Sequence, residues 1–332
     1  MTVVLLIVLV PLALIAVSFV VDARRRPPTP PAALARAPDV PLRYGDVDGI
    51  RVRYLKTGAG PVLLLLHTLR TQLDIFQKVM PALARDFTVY AVDFPGHGWS
   101  EIPRAEYTPA YFTRFTTRFM ETLGVSDVLV AGVSIGASIP LLMAAEGNPR
   151  IRAIVSINPF DYGQRGADRA NAVAKLFYTL AAIPVIGETV MRLRDRLVEG
   201  KVLEGGVATP AAIPPEFREE VFRVGERPGH FAAFLNLIRH MPSWRDAHAL
   251  YGRIRVPVLL VYGDRDWSHV AERQATLREI PGARLAMVPE GGHFLPLDQP
   301  EAVVGQIRAF AEATGPTAAG PGAPPAGYQP EA

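Results

Sequence analysis

The chain has 332 residues, 49% of them hydrophobic and 20% charged, enough for one large globular domain with a substantial core. Its formal net charge is only +3, and no Lys/Arg run is interleaved with aromatics, which argues against nucleic acid as a partner. Cysteine is absent, which removes disulfides, thiolate metal sites and a cysteine nucleophile but leaves the compartment open.

The first segment carries no charged side chain from Thr2 to Val21 and is dominated by Val, Leu and Ile. About 20 apolar residues suffice to cross the roughly 30 Å hydrocarbon core, so a single-pass transmembrane anchor is expected over residues 1–22, in contact with the bilayer through residues 2–21. A cleaved signal peptide fits less well, because a positive n-region is missing and the apolar run is long. Arg24, Arg25 and Arg26 follow the run, which predicts a cytoplasmic catalytic domain by the positive-inside rule. Residues 23–41, rich in proline and alanine, read as an extended linker. At the other end, residues 315–332 are rich in Gly, Pro and Ala without apolar periodicity, which predicts a disordered tail.

Between these ends, apolar runs alternate with amphipathic stretches, the pattern of a mostly parallel sheet flanked by helices. Strands are expected at 50–56, 62–67, 87–93, 127–133, 152–157, 256–262 and 284–289. Helices are expected at 72–85, 108–123, 135–147, 269–279 and 298–313. From 162 to 250 no strand pattern occurs, only helical segments punctuated by Pro184, Gly187, Gly205, Pro210, Pro214 and Pro228. This interval predicts a helical insertion over one end of the sheet.

Three residues at strand ends carry the chemistry. Ser134 lies in Gly132-Val133-Ser134-Ile135-Gly136, after an apolar strand and before a helix. A G-x-S-x-G turn there exposes the hydroxyl at a sharp bend, and the helix N-terminus behind it favours developing negative charge. Asp266 follows the strand at 256–262 and is suited to orienting an imidazole; Asp264 and Asp161 are its competitors. His293, behind Gly291-Gly292, is of the side-chain type suited to act as general base and then general acid. The order Ser134, Asp266, His293 is the triad order of one particular fold.

With these residues in view, the chain from about 42 to 314 resembles the α/β-hydrolase superfamily, in the capped branch that includes esterases, meta-cleavage product hydrolases, cofactor-free haloperoxidases, haloalkane dehalogenases and epoxide hydrolases. The resemblance rests on His67 at a strand end, on Asp93-Phe94-Pro95-Gly96-His97-Gly98-Trp99-Ser100, on the serine turn, and on Gly263–Asp266 paired with Gly292-His293-Phe294. It implies an α/β-hydrolase core at 42–161 and 251–314, a helical cap at 162–250, and Asp266 rather than Asp264 as the acid. It also implies backbone oxyanion donors at Leu69 and Ile135. Serine at 134 argues against the dehalogenases and epoxide hydrolases of this branch, which use an aspartate nucleophile. Thr68 stands where the family has glycine, so the loop must avoid positive φ there. Arg70 and Trp267 are candidate substrate contacts. His97 reads as part of a structural turn, and His230, His240 and Trp244 as cap or surface residues.

No dinucleotide or phosphate-loop fingerprint and no metal-ligand spacing occurs, so neither cofactor nor metal is expected. The leading expectation is a serine hydrolase acting on an ester or related acyl bond of a small, lipophilic substrate. Two alternatives stand beside it: carbon–carbon bond hydrolysis of a vinylogous diketone, with Arg70 holding a carboxylate, and a catalytically idle hydrolase-fold binding protein.

Overall fold

The computed structural model describes residues 2–160 and 169–315. One sheet of eight strands organises it, in the order β1 (Leu42–Val47), β2 (Ile50–Thr57), β4 (Thr88–Val92), β3 (Val62–Leu66), β5 (Val128–Val133), β6 (Ile151–Ile157), β7 (Val258–Gly263), β8 (Arg284–Val288). Strands β3 to β8 pair in parallel, while β2 runs antiparallel to both β1 and β4. Helices α1 (Thr2–Ala23), α2 (Met80–Leu83), α3 (Pro109–Thr122) and α4 (Ile135–Ala145) belong to the first half of the chain. Between β6 and β7 come α5 (Ala172–Ala182), α6 (Ile186–Arg192), α7 (Arg196–Glu204), α8 (Pro215–Gly225), α9 (His230–Arg239) and α10 (Met241–Ala247), with no strand among the described residues. Helices α11 (Val270–Glu279), α12 (Leu295–Asp298) and α13 (Pro300–Thr314) complete the chain.

The uninterrupted apolar runs have a physical reason: successive side chains of one strand serve different cores. On β3, Leu64 and Leu66 join a cluster with Phe112, Phe115 and Ile139 of α3 and α4. Leu63 and Leu65 join the opposite cluster, with Val303, Ile307 and Phe310 of α13. Helix α3 begins where Thr108 caps the Tyr111 amide and Pro109 fits the first turn. A third, smaller apolar cluster ties the inserted helices together through Phe177, Tyr178, Met191, Val202 and Phe234.

Four expectations need correction. The first is the transmembrane anchor. Thr2–Ala23 is helical, but among the described residues no helix is long and apolar enough to cross a membrane. The last turns of α1 are committed to the inserted helices: the Arg192 guanidinium lies 3.8 Å from the Phe19 ring centre, and Asp22 pairs with Arg194 at 3.6 Å. Arg25 donates to the carbonyls of Arg192 and Arg194 at 3.2 and 2.9 Å. The single-pass anchor, the bilayer contact through residues 2–21 and the cytoplasmic placement derived from them are therefore set aside.

The second correction concerns the proline-rich segment, which lies on the domain rather than standing off as a spacer. Leu34 is buried in the α13-side core, and the Arg36 amide donates to Gln77 Oε1 at 2.8 Å. Third, the helix expected at 72–85 is a 3-10 turn at Leu73–Phe76 followed by short α2, because Pro81 can only start a helix and its missing N–H breaks the ladder. Fourth, β1 was not anticipated: only Val47 of its six residues is buried, so alternation gave no signal. Residues 316–332 and Asp161 lie outside the described residues.

Candidate active site

In a parallel sheet the C-terminal strand ends share one edge, and β5, β7 and β8 deliver Ser134, Asp266 and His293 to it. At the end of β5 the chain turns directly into α4. Ser134 takes φ 58° and ψ −120°, a conformation that costs a non-glycine residue about 1–3 kcal/mol. The surroundings hold it there: the Ser134 amide donates to the Ile157 carbonyl at 3.0 Å, and its own carbonyl accepts from Phe160 at 3.2 Å. The flanking glycines are sterically required. A Cβ on Gly132 would lie 2.0 Å from the Gly136 carbonyl oxygen, and one on Gly136 would lie 2.3 Å from the carbonyl oxygens of Leu66 and His67.

Asp266 is buried and faces the imidazole of His293, whose Nδ1 donates to Asp266 Oδ1 at 2.6 Å. Its other oxygen accepts from the Ser268 amide at 3.0 Å and from the Ser268 hydroxyl. Burial pushes the Asp266 carboxyl up. The charge and hydrogen bond of His293, with those of Ser268, outweigh burial and hold it below its ordinary value. Asp264 is exposed and accepts from the Gly291 amide at 3.2 Å, so it shapes the loop and does not touch the imidazole.

His293 is itself buried, and its Nε2 has no hydrogen-bond partner among the described residues. With Nδ1–H committed to Asp266, Nε2 is a basic nitrogen with a free lone pair. The Trp267 indole stacks on the imidazole at 3.7 Å between ring centres and 13° between planes. Its Nε1–H donates to the Gly205 carbonyl at the end of α7 at 2.8 Å. One residue further along, the Phe294 amide donates to the Gly206 carbonyl at 2.6 Å. The chain leaving α7 thus holds the Asp266 loop through Trp267 and the His293 loop through Phe294, at two successive backbone carbonyls.

Asn158 was missed by sequence reasoning. Its amide nitrogen donates to the carbonyls of Gly292 and His293, each at 3.0 Å, and its Oδ1 accepts from Gly263 at 3.0 Å. It fastens the end of β6 to both loops that carry the acid and the base. An Asn-Pro pair after a strand reads only as a turn, so nothing in the pattern marked it. Gly205 reads only as punctuation between helical segments for the same reason, and nothing in the pattern marks Gly206.

A cavity of about 790 Å³ opens above Ser134. Thr68, Leu69, Ile135 and Trp267 line it on the sheet side, and Tyr178, Leu203 and Ile238 on the side of the inserted helices. Ile135 is the first residue of α4, so its N–H has no intrahelical partner. The Thr68 carbonyl accepts from His67 Nδ1 at 2.8 Å and from the amide and hydroxyl of Thr71 at 3.2 and 3.0 Å. That pinned turn keeps Thr68 out of positive φ; the left-handed residue is instead Arg70, at φ 58°. Arg70 lines the cavity but spends its guanidinium on Glu199 of α7.

The other histidines have structural partners or surroundings. His67 donates from Nδ1 to Thr68 and accepts the Phe94 amide on Nε2 at 3.0 Å, and burial pushes it down to about 3. His97 bonds the Pro95 carbonyl at 3.1 Å and is pushed down to about 4, again by burial. His230 is buried and Trp244 packs on Phe112 in the core; neither lines the cavity. Among the described residues no cluster of His, Asp and Glu has the arrangement of a metal site.

A strained serine between a parallel strand and a helix, with a carboxylate-held histidine on the same sheet edge, is the site arrangement of the α/β-hydrolase fold, and the comparisons support a likeness to the α/β-hydrolase superfamily. The family model described as alpha/beta hydrolase fold matches residues 61–185. Among its relatives is haloalkane dehalogenase 2 of Mycobacterium tuberculosis, 27% identical over 279 residues that cover 80% of this chain and 93% of that protein. The 2-(acetamidomethylene)succinate hydrolase of Mesorhizobium japonicum is 26% identical over 285 residues, 82% of this chain and 95% of that one. The crystal structure of Cfl2 from Burkholderia cenocepacia superposes with a TM-score of 0.74 at 22% identity, covering 85% of this chain and 99% of that one, and shows the shared fold. The protein is a hydrolase-fold enzyme related to enzymes that act on several bond types.

Proposed function

We propose that the protein is a serine hydrolase that cleaves a carboxylic ester or related acyl bond, with Ser134 as nucleophile, His293 as general base and acid, and Asp266 as the orienting carboxylate. The observation that carries this reading is His293: its Nδ1 is held by a buried Asp266 and its Nε2 has no hydrogen-bond partner among the described residues, on the edge where Ser134 sits. In the first half-reaction the Ser134 hydroxyl attacks the carbonyl carbon as His293 Nε2 takes its proton. The tetrahedral oxyanion is stabilised by the amides of Ile135 and Leu69, one such donor contributing about 2.7–4 kcal/mol. Collapse expels the alcohol, which receives the proton from His293, and leaves an acyl-Ser134. Water, deprotonated by His293, then repeats the sequence and releases the acid. Helices α5–α10 act as the cap and Trp267 as a wall of the acyl pocket.

The test is labelling of the intact protein with a fluorophosphonate, together with hydrolysis of 4-nitrophenyl esters of graded chain length. Ser134→Ala should abolish both. Folded wild-type protein that never reacts at Ser134 would rule the mechanism out. The carbon–carbon alternative rests on the helical insertion and on Arg70 as a carboxylate clamp, and the Arg70–Glu199 pair withdraws the second of these supports.

A further inference from the structure

Arg70 follows the candidate oxyanion residue Leu69 and projects into the same cavity as Ser134. It is nearly enclosed: its guanidinium carbon lies 4.8 Å from the Phe234 ring centre and 5.4 Å from that of Phe177. A guanidinium in that position, next to the reacting serine and walled by aromatics, is a natural carboxylate receptor. Glu199 occupies it. Glu199 is only 8% exposed, borders the same cavity, and pairs with Arg70 through one oxygen. Its other oxygen, Oε2, is buried without a hydrogen-bond partner among the described residues. The remaining cations at the cavity differ in kind. Lys175, Arg239 and Arg245 are exposed, and half-buried Arg169 is bound to Glu272 at 2.7 Å. Beside the hydroxyls of Thr68, Thr71 and Tyr178, the lining includes the apolar side chains of Val202, Leu203, Val221 and Ile238.

We propose that Glu199 is the specificity-determining residue of this cavity: by occupying Arg70 it makes the inner chamber charge-neutral and restricts the acyl group to an uncharged one. This deepens the serine-hydrolase reading and rests on it. A substrate carboxylate entering the chamber meets a guanidinium already neutralised and an unsatisfied carboxylate oxygen beside it, in a medium where like charges repel strongly. A neutral acyl chain meets the neutralised pair and walls that are aliphatic and aromatic with a few hydroxyls. Replacing Glu199 by Gln keeps its size and removes its charge, which leaves Arg70 as an uncompensated cation able to bind a carboxylate.

The experiment compares 4-nitrophenyl hemisuccinate with its neutral isostere 4-nitrophenyl levulinate. The wild type should prefer levulinate. Glu199→Gln should raise the hemisuccinate-to-levulinate ratio of kcat/KM at least tenfold, mainly through KM, and the added change Arg70→Met should erase the gain. Glu199→Ala serves in the same comparison should the Gln variant not fold. A folded variant whose ratio stays within twofold of wild type, or a gain that survives loss of Arg70, overturns the proposal. If the wild type turns over neither ester and resists the fluorophosphonate, the serine-hydrolase reading has failed on its own account. Titration with 4-phenylbutyrate then decides the charge argument separately: binding gained in Glu199→Gln and lost in the double variant supports it, and identical binding in all three proteins overturns it.

Discussion

The grip of α7 on the His293 loop can be tested by adding one carbon atom. A Cβ on Gly206 would lie 2.1 Å from Phe294 Cε2 and 2.4 Å from Cδ2, where an ordinary carbon contact needs roughly 3.5–4.0 Å. Gly206→Ala therefore forces the Phe294 ring and the Gly206 backbone apart by more than an ångström. Phe294 is buried and borders the cavity above Ser134, so the ring can yield only into that space, and overpacking of this kind costs about 1–3 kcal/mol. At about 2.1 cal/mol/K of unfolding entropy per residue, 1 kcal/mol moves the Tm of a chain this long by roughly 1.4 °C, so Tm should fall by about 1.5–4 °C. The catalytic effect should exceed the stability effect. The Phe294 amide bonds the carbonyl of Gly206 itself, and His293 is the adjacent residue, so the imidazole is carried with the displaced loop. A misplacement of about 1 Å at a reacting group costs on the order of a hundredfold in rate. The assay is the second-order rate of fluorophosphonate labelling at Ser134, read beside a thermal melt. A folded Gly206→Ala protein that labels at the wild-type rate would refute the coupling between the inserted helices and the histidine.

Further outcomes follow from the same contacts. Asp266→Asn should keep the fold and lower kcat by about 10⁴, because an amide can hold the imidazole in the wrong tautomer; a loss below tenfold would show that His293 is oriented by something else. Trp267→Phe keeps an aromatic face on His293 but loses the bond to Gly205, and should lower kcat several-fold with little change in KM; an effect confined to KM would make Trp267 a pocket wall alone. Arg53 sits fully buried between Asp93 at 2.6 Å and Asp74 at 2.5 Å, so Arg53→Met leaves buried carboxylates without a counter-charge and should cost about 3–5 kcal/mol in urea unfolding. The pH dependence of stability also has a defined sign. His67 and His97, held down to about 3 and 4 by burial, stay neutral in the folded state while the unfolded chain takes up protons below about pH 6.5. Each removes up to about 1.4 kcal/mol of stability per pH unit as pH falls from 6 to 4. Asp74, pushed up to about 6 by burial, binds its proton in the folded state over the same range and offsets one of them. Urea midpoints should therefore drop between pH 7 and pH 5, and His97→Gln should flatten the drop; an unchanged midpoint in the wild type would contradict it.

The parts of the fold that were legible in the sequence are those in which local pattern and burial agree. Strands β3 and β5 are buried on both faces and so read as continuous apolar runs. Ser134 carried a steric signature, since Gly132 and Gly136 are each forced by a backbone oxygen within about 2.3 Å of an added Cβ. The pairing of His293 with Asp266 rather than Asp264 came from the resemblance, because spacing alone leaves two carboxylates within reach of one loop. What stayed hidden depends on contacts across long stretches of chain. Asn158 acts at Gly292 and Gly263, more than a hundred positions away, and Glu199 neutralises Arg70 from another helix. The N-terminal helix misled for a related reason. Its composition fits a lipid phase, but Asp22 and Arg25 have their partners near Arg194 and Glu226, which hydropathy does not register.

The two carbonyls that Gly205 and Gly206 offer to Trp267 and Phe294 also set a rule for turnover. Widening the chamber by lifting α7 strains the same hydrogen bonds that keep the base aligned. On the proposed hydrolase reading, opening the chamber at this point and keeping the base aligned therefore oppose one another through one pair of glycines.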